Sequence, residues 1–297
     1  MTGKLLLIAS YPKSGNTWVR IFLEHLLHPD TASINTLDPG LYGFVRRRAF
    51  DALSPLAAGD LLPAELERML PAFFAQVARD ADGPALVKTH ERIRRTQDHT
   101  WLFPPEHVGA ALYLVRHPFD VAASYAQHRG VDVAVAVADM CDSRHVTAEV
   151  RAALPLPLAE RLGDWNSHVE AWLGSPLDVS VVRYEDLLSD SMLWFSRLAA
   201  SAGLDAAPAR IAAAVDAARF ERLAAAEKAQ DFRERPLSAK NFFRNGKRRS
   251  WRGTLNADFR QLLATSCANA MRRLGYREDG GVDPLPLDLS RWKPGVA

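Results

Sequence analysis

The stretch Ser10-Tyr11-Pro12-Lys13-Ser14-Gly15-Asn16-Thr17-Trp18-Val19 decides how this chain is read. It follows a short apolar run, Leu5-Leu6-Leu7-Ile8-Ala9, and leads into Arg20-Ile21-Phe22-Leu23-Glu24-His25-Leu26-Leu27, which has a helical pattern. The segment therefore reads as strand, tight turn, helix. Such a turn gathers backbone N–H groups and the positive end of a helix around one point, which suits a phosphate. Lys13 supplies a mobile charge, Ser14 and Thr17 supply hydroxyls, and Gly15 permits close backbone approach. Trp18 adds an aromatic face at the helix start. An anion cradle beside a flat ring makes a nucleotide the first expectation.

Bulk properties narrow the alternatives. The 297 residues fit one large α/β domain, and 48% hydrophobic with 24% charged residues argues against a disordered chain. A net charge of +2 argues against a polyelectrolyte binder, so local basic clusters matter more than the total. Cys141 and Cys267 lie in no metal-spaced or redox-spaced pattern and are expected to be reduced. Lys4 and the apolar run after it are too short for a secretory leader and meet no small-residue cleavage site. No apolar run approaches the roughly twenty residues that span a bilayer. The expectation is a soluble, cytoplasmic protein.

Further short strands are expected at Ala85-Leu86-Val87, at Ala110 through Val115, and at Val179-Ser180-Val181-Val182. They end in Lys88-Thr89-His90, Arg116-His117-Pro118 and Tyr184-Glu185-Asp186. Helical spacing appears over Glu65 to Ala78, over 160–173 with Trp165, Val169 and Trp172 on one stripe, and after Asp186 through Leu198. Strands alternating with helices predict a single α/β domain over 1–297, with a central parallel sheet and helices on both faces. In such sheets ligands bind off the carboxyl ends of the strands, and all four strands here end in polar residues. Residues 30–80 read as a loosely organised insertion. Between 244 and 252 five cations fall in nine residues, interleaved with Phe242, Phe243 and Trp251 and with Gly246 and Gly253. Residues 240–253 thus look like a lid over an anion rather than a solvated charged run.

Together these motifs resemble the cytosolic-type sulfotransferase family, in its bacterial branch. Family members carry Tyr-Pro-Lys-Ser-Gly-Thr-Thr-Trp near the N-terminus; this chain has Tyr-Pro-Lys-Ser-Gly-Asn-Thr-Trp at 11–18. Their Arg with a Ser eight residues on is matched by Arg116 and Ser124, and their Arg-Lys-Gly before a Trp by Arg244-Asn245-Gly246 and Trp251. The likeness runs from residue 5 to about 275, with Lys88-Thr89-His90 and Tyr184-Glu185-Asp186 in the family's order.

The resemblance implies a donor, 3'-phosphoadenosine 5'-phosphosulfate (PAPS), an adenosine 3',5'-bisphosphate product and no metal. Lys13, Ser14, Gly15, Asn16 and Thr17 would grip the 5'-phosphosulfate, with Trp18 and Phe220 on the adenine. Arg116, Ser124, Arg244, Asn245 and Gly246 would hold the 3'-phosphate, with Tyr184 and Phe242 completing the nucleotide side. His90 would be the general base for a hydroxyl of a small-molecule acceptor, and Lys13 and Lys88 would neutralise charge in an in-line transfer. Ser124 would also restrain Lys13 until the acceptor arrives. No nucleic-acid partner and no membrane span are expected. Residues 30–80 and 128–160 would form the acceptor side, and their apolar character favours a hydrophobic alcohol, phenol or natural product.

The chain departs from the family pattern at Asn16, at Asn245, at Ala218-Arg219 before Phe220, and at Arg249-Ser250 before Trp251. Two other readings compete. A P-loop kinase or NTPase needs its Lys after the second Gly and a carboxylate for magnesium, whereas here Lys13 precedes Gly15. A nucleic-acid binder would use Arg46-Arg47-Arg48 and Lys247 to Arg252, without an accompanying fold signature. Of nine histidines, His90 stands out for its place two residues past Lys88 at a strand end. His117 beside Pro118 reads as a helix start, and His168 as structural.

Overall fold

Leu5, Leu6, Leu7, Ile8 and Ala9 are all fully buried, which a strand achieves only when both faces of its sheet are covered. The computed structural model describes residues 3–30, 32–36, 47–147, 158–204, 206–235, 241–243, 246–285 and 289. Along the chain run β1 (Lys4–Ser10), α1 (Asn16–Leu27), α2 (Arg47–Leu53), α3 (Pro63–Asp80), β2 (Pro84–Thr89), β3 (Val108–Val115), α4 (Pro118–Arg129) and α5 (Val133–Cys141). Next come β4 (Val146–Thr147), β5 (Glu160–Arg161), α6 (Trp165–Leu173), β6 (Val179–Arg183), α7 (Tyr184–Ser189) and α8 (Ser191–Ser201). The chain continues through α9 (Pro208–Ala217), α10 (Phe220–Gln230), α11 (Ala257–Ser266) and α12 (Ala268–Arg273). No described helix is long and apolar enough to cross a membrane.

The four main strands form one parallel sheet in the order β2-β1-β3-β6, with Ile8 beside Lys88, Ser10 beside Leu114 and Val115 beside Arg183. Successive side chains of β1 point to opposite faces. Leu5, Leu7 and Ala9 join Phe73, Phe74 and Trp172 from α3 and α6. Leu6 and Ile8 join Phe22, Phe195 and Leu198 from α1 and α8. The molecule is thus an α/β domain with helices on both faces of a parallel sheet. Because β1 pairs with β2 on one side and β3 on the other, strand order reverses at β1, where such sheets open a crevice beyond their carboxyl ends.

Three local outcomes differ from the sequence reading. Within 30–80, α3 is no loose insertion: Phe73, Phe74, Val77 and Ala78 are part of the core against β1. The helix expected over 160–173 starts only at Trp165, because Asp164 accepts from Ser167 N at 2.8 Å and caps it, while Glu160–Arg161 pairs with Val146–Thr147 as a short antiparallel ladder. The helix after Asp186 breaks into α7 and α8 at Asp190, whose carboxylate accepts from Leu193 N at 3.0 Å. The turn at 38–40, Arg46, residues 148–157, Arg244 and Asn245 lie outside the described residues.

Candidate active site

The loop after β1 turns on two left-handed residues, Lys13 (φ +68°) and Gly15 (φ +100°). Gly15 precedes α1, and no side-chain hydrogen bond caps that helix start. Glycine is required here twice over: the backbone is left-handed, and a Cβ would lie 2.7 Å from Tyr184 Cδ2. Ser14 Oγ is buried in the loop and has no hydrogen-bond partner among the described residues. Uncapped N–H groups and an unsatisfied hydroxyl at a helix N-terminus are what an anion would complete. Lys13 Nζ lies 3.3 Å from His128 Nδ1 and 4.6 Å from the centre of the Phe242 ring.

Beyond β3, Arg116 ties this loop to the basic segment. Its guanidinium donates to Lys13 O (3.4 Å) and Lys247 O (3.2 Å) and sits 4.4 Å above the Tyr184 ring. Its Nε is buried without a partner among the described residues. Tyr184 therefore serves as a floor, its ring pressed between Gly15 and Arg116. Pro118 and Phe119 start α4 behind it, with His117 Nδ1 accepting from Phe119 N as the cap and Nε2 donating to Arg277 O. His117 is a structural residue.

Beyond β2 stands His90, buried beside Lys88. Its Nδ1 lies 2.7 Å from Ser10 O. A carbonyl only accepts, so Nδ1 carries the hydrogen and Nε2 the lone pair. Glu160 Oε1 accepts from His90 N (2.7 Å) and from Thr89 Oγ1 (2.9 Å), while His168 Nε2 donates to His90 O (3.1 Å). Burial pushes the His90 imidazole well below its usual range, and the Lys88 charge acts in the same sense. The ring is neutral at pH 7, with Nε2 in the basic form. His128 is likewise pushed down to about 3 by burial and by the charges of Lys13, Lys88 and Arg129. Burial and the Glu91 carboxylate raise Glu160 to about 7.

On the far side of α1, Trp18 Nε1 donates to Ala218 O at 2.8 Å, two residues before Phe220 opens α10. Gly246 (φ +53°) packs so closely on Phe220 that a Cβ would meet its ring at 2.7 Å. Phe242 is anchored by its backbone N–H, which donates to Glu227 at 2.7 Å. Thr17 and Ser124 are half-buried, on α1 and α4. Asn16 behaves differently from the sequence reading: its Nδ2 donates inward to Ile8 O (3.0 Å) and Ser10 Oγ (3.2 Å), so its amide braces β1 and the carbonyl that holds His90.

Sequence reasoning missed three residues. His128 and Asp120 sit one turn either side of Ser124 on α4, a spacing that would have flagged them. Glu160 shares no local motif with His90 and could not be found from sequence. Among the described residues, no three His, Cys, Asp or Glu side chains group to hold a metal ion.

A reversing parallel sheet with an uncapped strand–loop–helix turn at its carboxyl edge defines the class of α/β proteins that present an anion cradle. Residues 4–275 match the family described as Sulfotransferase domain, and the chain belongs to that family. It is a sulfotransferase. No curated protein is similar enough in sequence to count as a relative. Among solved structures, the mouse sulfotransferase SULT7A1 complexed with PAP is similar at 18% identity and TM-score 0.54, covering 91% of this chain and 86% of that one. Retinol dehydratase with androsterone and inactive cofactor PAP is similar at 17% identity and TM-score 0.55, covering 93% and 83%. Retinol dehydratase with retinol and PAP is similar at 18% identity and TM-score 0.57, covering 93% and 84%. These likenesses establish the shared fold.

Proposed function

We propose that this sulfotransferase uses PAPS as donor and a hydroxyl of a small-molecule acceptor as recipient, with His90 as general base. The observation that carries the donor assignment is Arg116, which bridges Lys13 O and Lys247 O and keeps a buried Nε with no partner among the described residues. It makes a second anion cradle beside the one that Ser14, Gly15 and the start of α1 form. Two cradles flanked by Trp18 and Phe220 suit a nucleotide with phosphates at both ends of its ribose. The PAP in the three similar structures belongs to those proteins and is consistent with this reading.

When bound, the donor supplies an activated sulfuryl group. The loop from Lys13 to Thr17 would hold its 5' side, Arg116, Ser124, Gly246, Arg244 and Asn245 its 3'-phosphate, and Trp18, Phe220 and Phe242 the region of the base. His90 Nε2 takes the proton of the acceptor hydroxyl as its oxygen bonds to sulfur. Lys13 stabilises charge on the departing oxygen and Lys88 the sulfuryl oxygens. Retinol and androsterone in the similar structures are hydrophobic alcohols, which supports an acceptor of that class.

Calorimetric titration tests the donor assignment. Adenosine 3',5'-bisphosphate should bind without magnesium, and ATP much more weakly. A preference for magnesium-ATP would overturn the reading in favour of a P-loop kinase.

A further inference from the structure

A carboxylate, Asp120, lies 3.9 Å from the guanidinium of the Arg116 cradle. Asp120 occupies the first turn of α4 and is only 2% exposed. Its Oδ2 accepts from Arg249 N at 2.9 Å. Its Oδ1 accepts from Ser250 Oγ at 2.8 Å and from Trp251 N at 3.2 Å, and lies 3.9 Å from Arg116 Nη2. Both oxygens are therefore occupied by donors more than a hundred residues away, and the start of α4 favours the negative charge. Held in this way, the carboxylate anchors the segment that follows Gly246.

The segment it holds is under backbone strain. Arg249 is a non-glycine residue at φ +58°, a conformation that persists only when surrounding contacts impose it. Trp251 is buried against Phe119 with ring centres 5.4 Å apart, which fixes the segment's far end. At the near end Arg116 holds Lys247 O. Asp120 thus couples the arginine on β3's end to the backbone that carries Lys247, Arg248 and Arg249.

We propose that Asp120 is a positioning residue that sets the preference for a 3'-phosphate, by docking residues 246–252 against Arg116. It does not touch the nucleotide. The proposal deepens the PAPS assignment and rests on Arg116 being the 3'-phosphate ligand. Asp120→Asn keeps one carbonyl oxygen and loses the other acceptor together with the charge, which frees part of the segment. The loop from Lys13 to Thr17 is built from other residues and keeps its own contacts.

The test is a calorimetric titration of wild type, Asp120→Asn and Ser250→Ala with two probes, adenosine 3',5'-bisphosphate and adenosine 5'-phosphate. For Asp120→Asn, bisphosphate affinity should fall about ten-fold or more while adenosine 5'-phosphate affinity stays within about two-fold, the scale of one charge-assisted hydrogen bond. Ser250→Ala should shift the ratio in the same direction by less, and it decides the matter if Asp120→Asn does not fold. An unchanged ratio, or an equal loss for both probes, overturns the role of Asp120 and leaves the donor assignment standing. A wild-type protein indifferent to the 3'-phosphate overturns both.

Discussion

The proposed base, His90, is held in the tautomer with its hydrogen on Nδ1. The Ser10 carbonyl takes its Nδ1 hydrogen, Asn16 braces Ser10 through its hydroxyl, and Glu160 fixes its backbone N–H. Replacing it with Ala should reduce transfer by about 10²–10⁴-fold, the usual worth of a positioned base. Affinity for adenosine 3',5'-bisphosphate should be nearly unchanged, since His90 does not belong to either cradle. Turnover with radiolabelled donor, on an acceptor that wild type accepts, measures the first and calorimetry the second. Substantial turnover in His90→Ala would remove His90 from the mechanism. The pH profile follows from the depressed imidazole: the neutral base persists below pH 6.5, so His90 contributes no acid limb until well under that value. Lys13 shows where residue-level reading stops. Its Nζ lies 3.3 Å from the His128 ring, which is not a motif residue, because the lysine's reach across to α4 is set by the fold.

At the scale of elements, the sequence made the four strands and their polar ends legible, because buried parallel strands are short apolar runs and their ends must turn polar. Lys88, His90, Arg116 and Tyr184 lie at or just beyond the carboxyl ends of β2, β3 and β6. What could not be read were pairings between segments distant in the chain. From the motif alone Asn16 reads as a donor to the 5'-phosphosulfate, but the first turn of a helix does not reveal which way a polar side chain points, and its amide donates to β1. Arg20 is the clearer case. It is fully buried and forms a two-pronged pair with Glu234, at 2.6 and 3.0 Å, a partner that nothing in the local pattern of α1 identifies. That pair holds the segment after α10 against α1. Glu234→Ala should cost about 3–5 kcal/mol, because it strands a buried guanidinium rather than merely removing an attraction. Urea unfolding measures it; a loss under about 1 kcal/mol, as for an exposed pair, would show that Arg20 finds water or another partner.

Taken whole, the molecule carries its chemistry on a core that contains neutral imidazoles, and this ties its stability to pH. His168 is fully buried beneath the site, stacked on Tyr113 and edge-on to Tyr11. Its Nδ1 accepts from Tyr113 OH at 2.9 Å while Nε2 supports His90. Burial pushes it from the usual 6.5 down to about 3, so it stays neutral in the fold and takes up a proton only on unfolding. Its contribution to stability is therefore complete above pH 6.5 and is lost as pH falls from there towards 3; at pH 5 the loss is about 2 kcal/mol. Glu160 acts in the opposite sense. Raised to about 7, it binds a proton in the fold before it would in the unfolded chain, and so adds stability as pH falls from 7 towards 4.5. A wild-type curve alone would mix these two with the other depressed imidazoles, His90 and His128. His168→Gln separates them, since the amide can still donate to His90 O and accept from Tyr113 OH but cannot titrate. Between pH 7.5 and pH 5, the stability gap between wild type and His168→Gln should shift by about 2 kcal/mol in favour of the variant, measured by urea unfolding at both values. A gap that does not move with pH would mean that His168 is not held neutral beneath the active site.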